Sequence, residues 1–285
     1  MLYGKYLKEI ALNKNVTYID TSVDDVIISD NNISSLILNN GTSITADIFI
    51  DCTGFNRTLI SKLDGCNKLH IGDILKCDTA LATQLPYIDR AVQEINSTSC
   101  TALSSGWVWQ VPLADRIGIG YVHSSEFQDI DSATNEFKEY LSSDLGYNTN
   151  DINPKIVPFD TGRLENSWIG NTVAIGLSSG FIEPLESTGI ALTHLSLMKL
   201  TKILSVDAKS KYIERSRDKF NKSTGDVFDE IKTFIEFHYL LSDRDDSPFW
   251  NHVTSIEFRP EHNNIIETYT NNYYEFRRGD SLAEA

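Results

Sequence analysis

Cations are scarce in this 285-residue sequence: 25 Lys and Arg stand against 40 Asp and Glu, a formal charge of −15. Nucleic acid and anionic membranes both need clustered cations, so neither is an expected partner. Long apolar runs are missing too. No stretch approaches the roughly 20 residues that cross a bilayer, and Met1-Leu2-Tyr3-Gly4-Lys5 carries no signal-peptide core. Cysteine is confined to Cys52, Cys66, Cys77 and Cys100, with no CxxC pair. That excludes a disulfide framework and gives the expectation of reduced thiols in a cytoplasmic protein. The six histidines, at positions 70, 123, 194, 238, 252 and 262, show no metal-ligand spacing, and no metal site is expected. There is no GxGxxG, no internal repeat and no low-complexity tract. What remains, 41% hydrophobic and 23% charged, is ordinary globular composition with length for one large or two ordinary domains.

The apolar pattern begins with Leu7 to Leu12, a helix tail with Leu7, Ile10 and Ala11 on one face. Val16–Ile19, Asp25–Ile28, Ser35–Leu38 and Ile48–Ile50 read as strands, rich in β-branched and aromatic residues. Asn39-Asn40-Gly41 is a hairpin signal, because Asn and Gly accept the positive φ of tight turns. A polar stretch from Phe55 to Thr101 shows little period. Trp107–Val111 and Ile117–Val122 then form a second hairpin, with its turn at residues 112–116. A helix over 131–145 buries Phe137, Tyr140 and Leu141. Val173–Leu177 is a short buried strand, and a helix from about Glu186 to Val206 is apolar nearly all round, which predicts a buried helix with His194 in the core. Residues 211–242 are helical, broken or bent near Ser223-Thr224-Gly225. Beyond Phe249-Trp250 no pattern emerges. Strands first and helices last predict a mixed α/β protein.

The segment Ile182-Glu183-Pro184-Leu185-Glu186-Ser187-Thr188-Gly189 opens the late helix. A helix start presents unpaired N–H groups and partial positive charge, so Thr188 and Gly189 could hold a small anion. The same residues also suit a plain capping arrangement, with Glu183 and Glu186 complementing the dipole and Pro184 entering the first turn. Gly176-Leu177-Ser178-Ser179-Gly180 and Gly118-Ile119-Gly120 are weak nucleotide-loop matches. Trp107 and Trp109 point to the same side of one strand, where paired indoles wall a pocket or fill a core. Ser187 has a Glu neighbour but no identifiable His–Asp partners, so a hydrolase triad is unsupported. Phe237-His238-Tyr239 and Phe249-Trp250 read as packing.

Four blocks taken together resemble the flavin-dependent halogenases of the tryptophan-halogenase family. They are Ala46–Phe55, Ser105–Leu113 with its WxWxVP core, Arg116–Phe127, and Ala174–Ile190, which contains GFIEPLESTGI. The similarity runs over roughly residues 5–255. It implies an FAD-binding, Rossmann-like fold of the hydroxylase type that lacks its first βαβ unit, with a mixed substrate-side sheet and C-terminal helices. Residues 1–57 and 170–206 would be the FAD-binding portion, 58–169 the substrate-side sheet region and 207–285 a C-terminal helical region. The implied reaction uses reduced FAD, supplied by a separate flavin reductase, and oxygen to turn a halide ion into hypohalous acid, which halogenates an electron-rich aromatic substrate such as tryptophan or another indole. Glu186, helped by Ser187, would be catalytic; Thr188 and Gly189 would bind halide; Leu177, Gly189, Ile190 and, at the adenine end, Val23 would contact the cofactor. Trp107, Trp109 and Pro112 would separate flavin from substrate. Family members also begin with GxGxxG and, soon after, a lysine that handles the hypohalous acid. Neither is matched here, so the expectation is a fragment, a truncated gene or half of a split protein, acting as a homodimer or beside the absent N-terminal portion. A non-catalytic flavoprotein remnant and a flavin-dependent aromatic monooxygenase are the alternatives, the latter opposed by the paired indoles.

Overall fold

The computed structural model describes residues 2–207 and 213–276. Helix α1 (Leu2–Asn13) keeps Ile10 and Ala11 half-buried while Leu7 and Leu12 stay exposed. Val16–Ile19 is not a strand: Val16, Tyr18 and Ile19 lie exposed in an unpaired connection. β-propensity is realised only where a ladder partner and a core exist. Strands β1 (Val23–Ser29) and β2 (Asn32–Leu38) pair antiparallel through a turn in which Asp30 and Asn31 both take positive φ (50° and 55°). The expected Asn39-Asn40-Gly41 turn is present, with Gly41 at φ 79°, and joins β2 to the short β3 (Ser43–Ile44).

Strand β4 (Phe49–Asp51) is followed, inside the stretch that lacked a pattern, by β5 (Lys68–His70), β6 (Thr79–Leu85), the short helix α2 (Arg90–Gln93) and β7 (Ser99–Leu103). The hairpin β8 (Gly106–Pro112) and β9 (Ile117–His123) follows as expected. Helix α3 (Ile130–Ser143) is capped by the Asp129 carboxylate, which accepts from the N–H groups of Asp131 and Ser132. It buries Ala133, Phe137 and Leu141. Next come β10 (Lys155–Pro158), β11 (Gly162–Leu164), β12 (Trp168–Ile169) and β13 (Thr172–Ala174). The strand expected over Val173–Leu177 ends at Ala174, because Gly176 (φ 68°) turns the chain into a 3-10 turn, Gly176–Ser178. A two-residue strand, β14 (Gly180–Phe181), precedes helix α4 (Gly189–Asp207).

Helix α5 (Ile213–Leu240) runs unbroken through Ser223-Thr224-Gly225; a Cβ on Gly225 would meet the Arg163 guanidinium at 3.1 Å, so the glycine serves packing and not a bend. Helices α6 (Pro248–Thr254) and α7 (Pro260–Phe276) complete the described chain. Residues 208–212 and 277–285 of the expected C-terminal region lie outside the described residues.

Four small sheets organise these strands. The largest, in order β10-β6-β9-β8-β7, is antiparallel throughout. One of its faces packs Leu81, Val108, Ile119 and Tyr121 against α3. The other packs Trp107 and Val122 against Tyr239 of α5 and Phe249 and Trp250 of α6. Mixed pairing occurs in β12-β13-β4, where β13 runs parallel to β4 and antiparallel to β12. This ladder joins the first fifty residues to the segment that leads into β14 and α4.

Candidate active site

Asp51, at the end of β4, organises the corner where the parallel strands stop. Its fully buried carboxylate accepts from the N–H groups of Thr53, Leu59 and Ile60 and from the hydroxyls of Thr53 and Ser178, at 2.6–3.2 Å. Burial pushes this carboxyl up, but the hydrogen bonds from Thr53, Ile60 and Leu59 more than offset that and hold it below the usual range. Ser178 is thereby tied to β4, and its carbonyl accepts from Arg57 Nε at 2.9 Å. The 3-10 turn carrying Leu177 is fixed from both sides.

From β14 the chain turns sharply into α4. Gly180 is obligatory here, since a Cβ would lie 2.8 Å from both the Arg163 Cα and the Gly162 carbonyl oxygen. Ser187 adopts left-handed backbone, φ 55°, and donates its N–H to the Pro184 carbonyl at 3.0 Å. A residue at φ 55° lies outside right-handed helical space, so α4 begins at Gly189 and not near Glu186 as the periodicity suggested. The first intrahelical bond runs from Leu192 N–H to Thr188 C=O, 2.9 Å. Thr188 is therefore the cap, and the N–H groups of Gly189, Ile190 and Ala191 precede the helical ladder. Neither acid acts as a cap: Glu183 is fully buried, and Glu186 reaches another helix.

A cavity of about 300 Å3 opens at this helix start. Leu177, Thr188, Gly189 and Ile190 all line it, together with Phe181 and Phe228. A Cβ on Gly189 would meet nothing within 4 Å, so the missing side chain leaves open space in front of the backbone and serves no contact inside the protein. Val23 is not among the lining residues; it packs at the start of β1 with Ile33, Phe49 and Leu59. Ser187 is exposed beside the cavity.

Glu186 does not line that cavity either. Its Oε1 lies 2.8 Å from Nε2 of His238 on α5. Sequence reading assigned His238 to packing, and nothing in local spacing could have paired two residues brought together only by the docking of α5. The neighbouring Tyr239, Phe249 and Trp250 do pack, fully or nearly buried. His194, expected in a core, is exposed on α4.

Trp107 and Trp109 stand side by side on β8, ring centroids 6.3 Å apart at 61°. Trp107 is 3% exposed. Both belong to one apolar cluster with Ile182, Leu185 and Leu192 of the segment running from β14 into α4. Trp109 faces Gly120 across the β8–β9 ladder, and a Cβ on Gly120 would fall inside the indole ring. The Gly118-Ile119-Gly120 match is thus a seat for an aromatic ring, not a nucleotide loop. Pro112 ends β8 opposite Ile117, with the alternation of Val108 and not of the indoles. Glu183, in the same segment as Ile182 and Leu185, is 0% exposed, with neither carboxyl oxygen in hydrogen-bond geometry. Burial raises its pKa to about 7, and the nearby Tyr239 hydroxyl and Cys77 thiol recover only part of the cost.

Comparison with known proteins places this architecture in a class. The tryptophan 6-halogenase of Streptomyces toxytricini superposes with a TM-score of 0.85 at 31% identity, over 94% of this chain and 54% of that one. BrvH, a flavin-dependent halogenase from Brevundimonas sp. BAL3, gives a TM-score of 0.83 at 32% identity, over 94% and 53%. The fold is therefore that of the α/β flavin-dependent halogenases. The family model for tryptophan halogenase matches residues 1–284. Tryptophan 7-halogenase RebH of Lentzea aerocolonigenes is 37% identical over 251 residues, 87% of this chain and 46% of that protein. The chain belongs to the tryptophan halogenase family. It spans about half the length of the curated relatives it matches.

Proposed function

We propose that this chain forms the halide-handling and substrate-facing part of a flavin-dependent halogenase acting on an electron-rich aromatic ring. The observation that carries the reading is the division around one corner of the chain. Leu177, Thr188, Gly189 and Ile190 surround a cavity on one side, while Glu186 reaches α5 and the paired indoles share an apolar cluster with residues of the segment between. The family supports halogenation of an aromatic substrate, and RebH and the Streptomyces toxytricini protein are tryptophan halogenases by name. An indole is the substrate class we infer, in a cytoplasmic enzyme served by a separate flavin reductase.

The residues present fit the ring end of a flavin. The cavity, about 300 Å3, stands at the low end of small-molecule sites, about 300–1,000 Å3. It has room for a ring system and not for a whole dinucleotide. Gly176, Leu177, Gly189 and Ile190 offer it backbone edges and apolar walls, and the open space at Gly189 is where a ligand would approach the chain. We infer that residues 1–57 and 170–206, joined by the parallel β4–β13 ladder, are the flavin side. Residues 58–169 would be the substrate side, and the helical region from 207 onward would close over it.

When bound, reduced flavin with oxygen supplies the oxidation of halide to hypohalous acid. The chain's own groups do the rest. The leading amides of α4 hold the halide by charge-assisted hydrogen bonds. Trp107 and Trp109 keep an aromatic substrate off the flavin side. Glu186 holds the electrophile and takes the proton that leaves the ring as halogen adds. Glu186→Gln removes the base, and Thr188→Pro removes an N–H from the helix start. Product formation from an indole with reduced FAD, oxygen and bromide should fall by at least about 100-fold in each. Full-rate halogenation in both variants would overturn the assignment.

A further inference from the structure

His238 makes two contacts, one through each ring nitrogen. Its Nδ1 lies 3.2 Å from the backbone carbonyl of Phe234, one helical turn earlier, and its Nε2 lies 2.8 Å from Oε1 of Glu186. A carbonyl oxygen only accepts, so Nδ1 must carry hydrogen. A neutral imidazole has a single N–H, which would leave the Nε2 lone pair facing a carboxylate oxygen. The 2.8 Å approach of Nε2 to Oε1 is an ion-pair contact, attractive when Nε2 carries a proton. Among the described residues, His238 is the ion-pair partner of Glu186.

We propose that His238 is the positioning residue for Glu186, holding one carboxylate oxygen as an ion-pair partner at 2.8 Å and leaving the other, Oε2, for the reacting ring. This rests on the role given to Glu186 above. The ring of His238 is itself fixed by the Phe234 carbonyl and by edge-to-face contact with the Phe234 ring, centroids 5.2 Å apart. The groups beside the pair are Phe234 on α5, against His238, and Cys100 from β7, near enough to feel the Glu186 charge. Burial and then the Glu186 charge push the Cys100 thiol up, so it is neutral and adds no competing charge. During reaction the C–H bond of the halogenated carbon breaks, its electron pair returns to the ring, and the proton goes to Oε2. The pair then carries one proton more than before and passes one to water at the exposed edge of His238, which is 34% accessible. A carboxylate held at one oxygen by an imidazole keeps one rotamer, where a free glutamate samples several.

Two measurements test this. In the 15N-labelled 285-residue chain at one neutral pH, the His238 ring, assigned by its disappearance in His238→Gln, should show Nδ1 protonated. Glu186→Gln should leave Nδ1 protonated and shift Nε2. A ring protonated only at Nε2, unchanged by Glu186→Gln, would overturn the pairing. In turnover, His238→Phe should lower kcat about 10–100-fold with KM little changed, and His238→Gln, which keeps a donor, should recover part of the loss. Full activity of Glu186→Gln would remove the catalytic reading and this role with it. Full activity of His238→Phe beside an inactive Glu186→Gln would remove the positioning role alone.

Discussion

Glu183 sits where water cannot reach it, and its carboxyl stays neutral well into the range where an exposed glutamate is ionised. Its folded pKa of about 7 exceeds the unfolded value, so folding is penalised as pH rises from about 4.5 to about 7. The difference is on the order of 3 kcal/mol. Glu183→Gln keeps the shape and cannot ionise. Urea unfolding at pH 5 and pH 8 should show the variant gaining about 2–3 kcal/mol over the parent between the two. A stability difference that does not change with pH would refute a neutral Glu183. The left-handed Ser187 illustrates another limit on sequence reading. Helical periodicity from Glu186 onward is real, but one residue at φ 55° moves the start to Gly189, and no composition rule marks a serine for that conformation. Glu186 was legible as a candidate because of its motif; its partner His238 was not, because the contact exists only in three dimensions.

At the level of elements, the β8–β9 hairpin was the most readable part of the chain. Its alternation, its turn and the shared face of its indoles are all encoded locally. The interior strand β6 was missed, although it lies between β9 and β10, because Thr79–Leu85 carries Thr and Gln among its apolar residues and its burial is decided by neighbours far along the chain. Val16–Ile19 erred the other way, being strand-like in residue type but lacking a partner. The indole seat makes the element scale testable. Gly120→Ala puts a methyl group into the Trp109 ring and beside the Leu81 carbonyl, and should cost about 1–3 kcal/mol in urea unfolding, with a change in tryptophan fluorescence. Neutral stability and an unchanged spectrum would show that the ring is not seated there.

The whole molecule carries more exposed apolar surface than its sequence pattern implied. Helix α4 was expected to be buried all round, yet Ile190 and Met198 are 68% and 69% exposed, and among the described side chains of the helix only Leu200 is buried. Tyr3, Tyr6, Leu7 and Leu12 of α1 are exposed as well. Periodicity detects an apolar helix surface but not which neighbours cover it. Met198→Lys should leave the unfolding free energy within about 0.5 kcal/mol and raise solubility; a large loss of stability would mean that Met198 is packed. The α/β class and the family were both legible, the class from the order of strands and helices and the family from the long Ala174–Ile190 block. The separation of the Leu177–Ile190 cavity from Glu186 needed the fold.

The central claim is that the α4 start and the Gly176–Leu177 turn receive a flavin ring and a halide. FAD fluorescence titrated with this 285-residue chain, with and without bromide, tests it most directly. The account predicts saturable binding that bromide perturbs, weakened at least tenfold by Gly189→Val, whose side chain would fill the open space while the fold stays intact. Absence of saturable binding, or binding indifferent to both bromide and Gly189→Val, would contradict it.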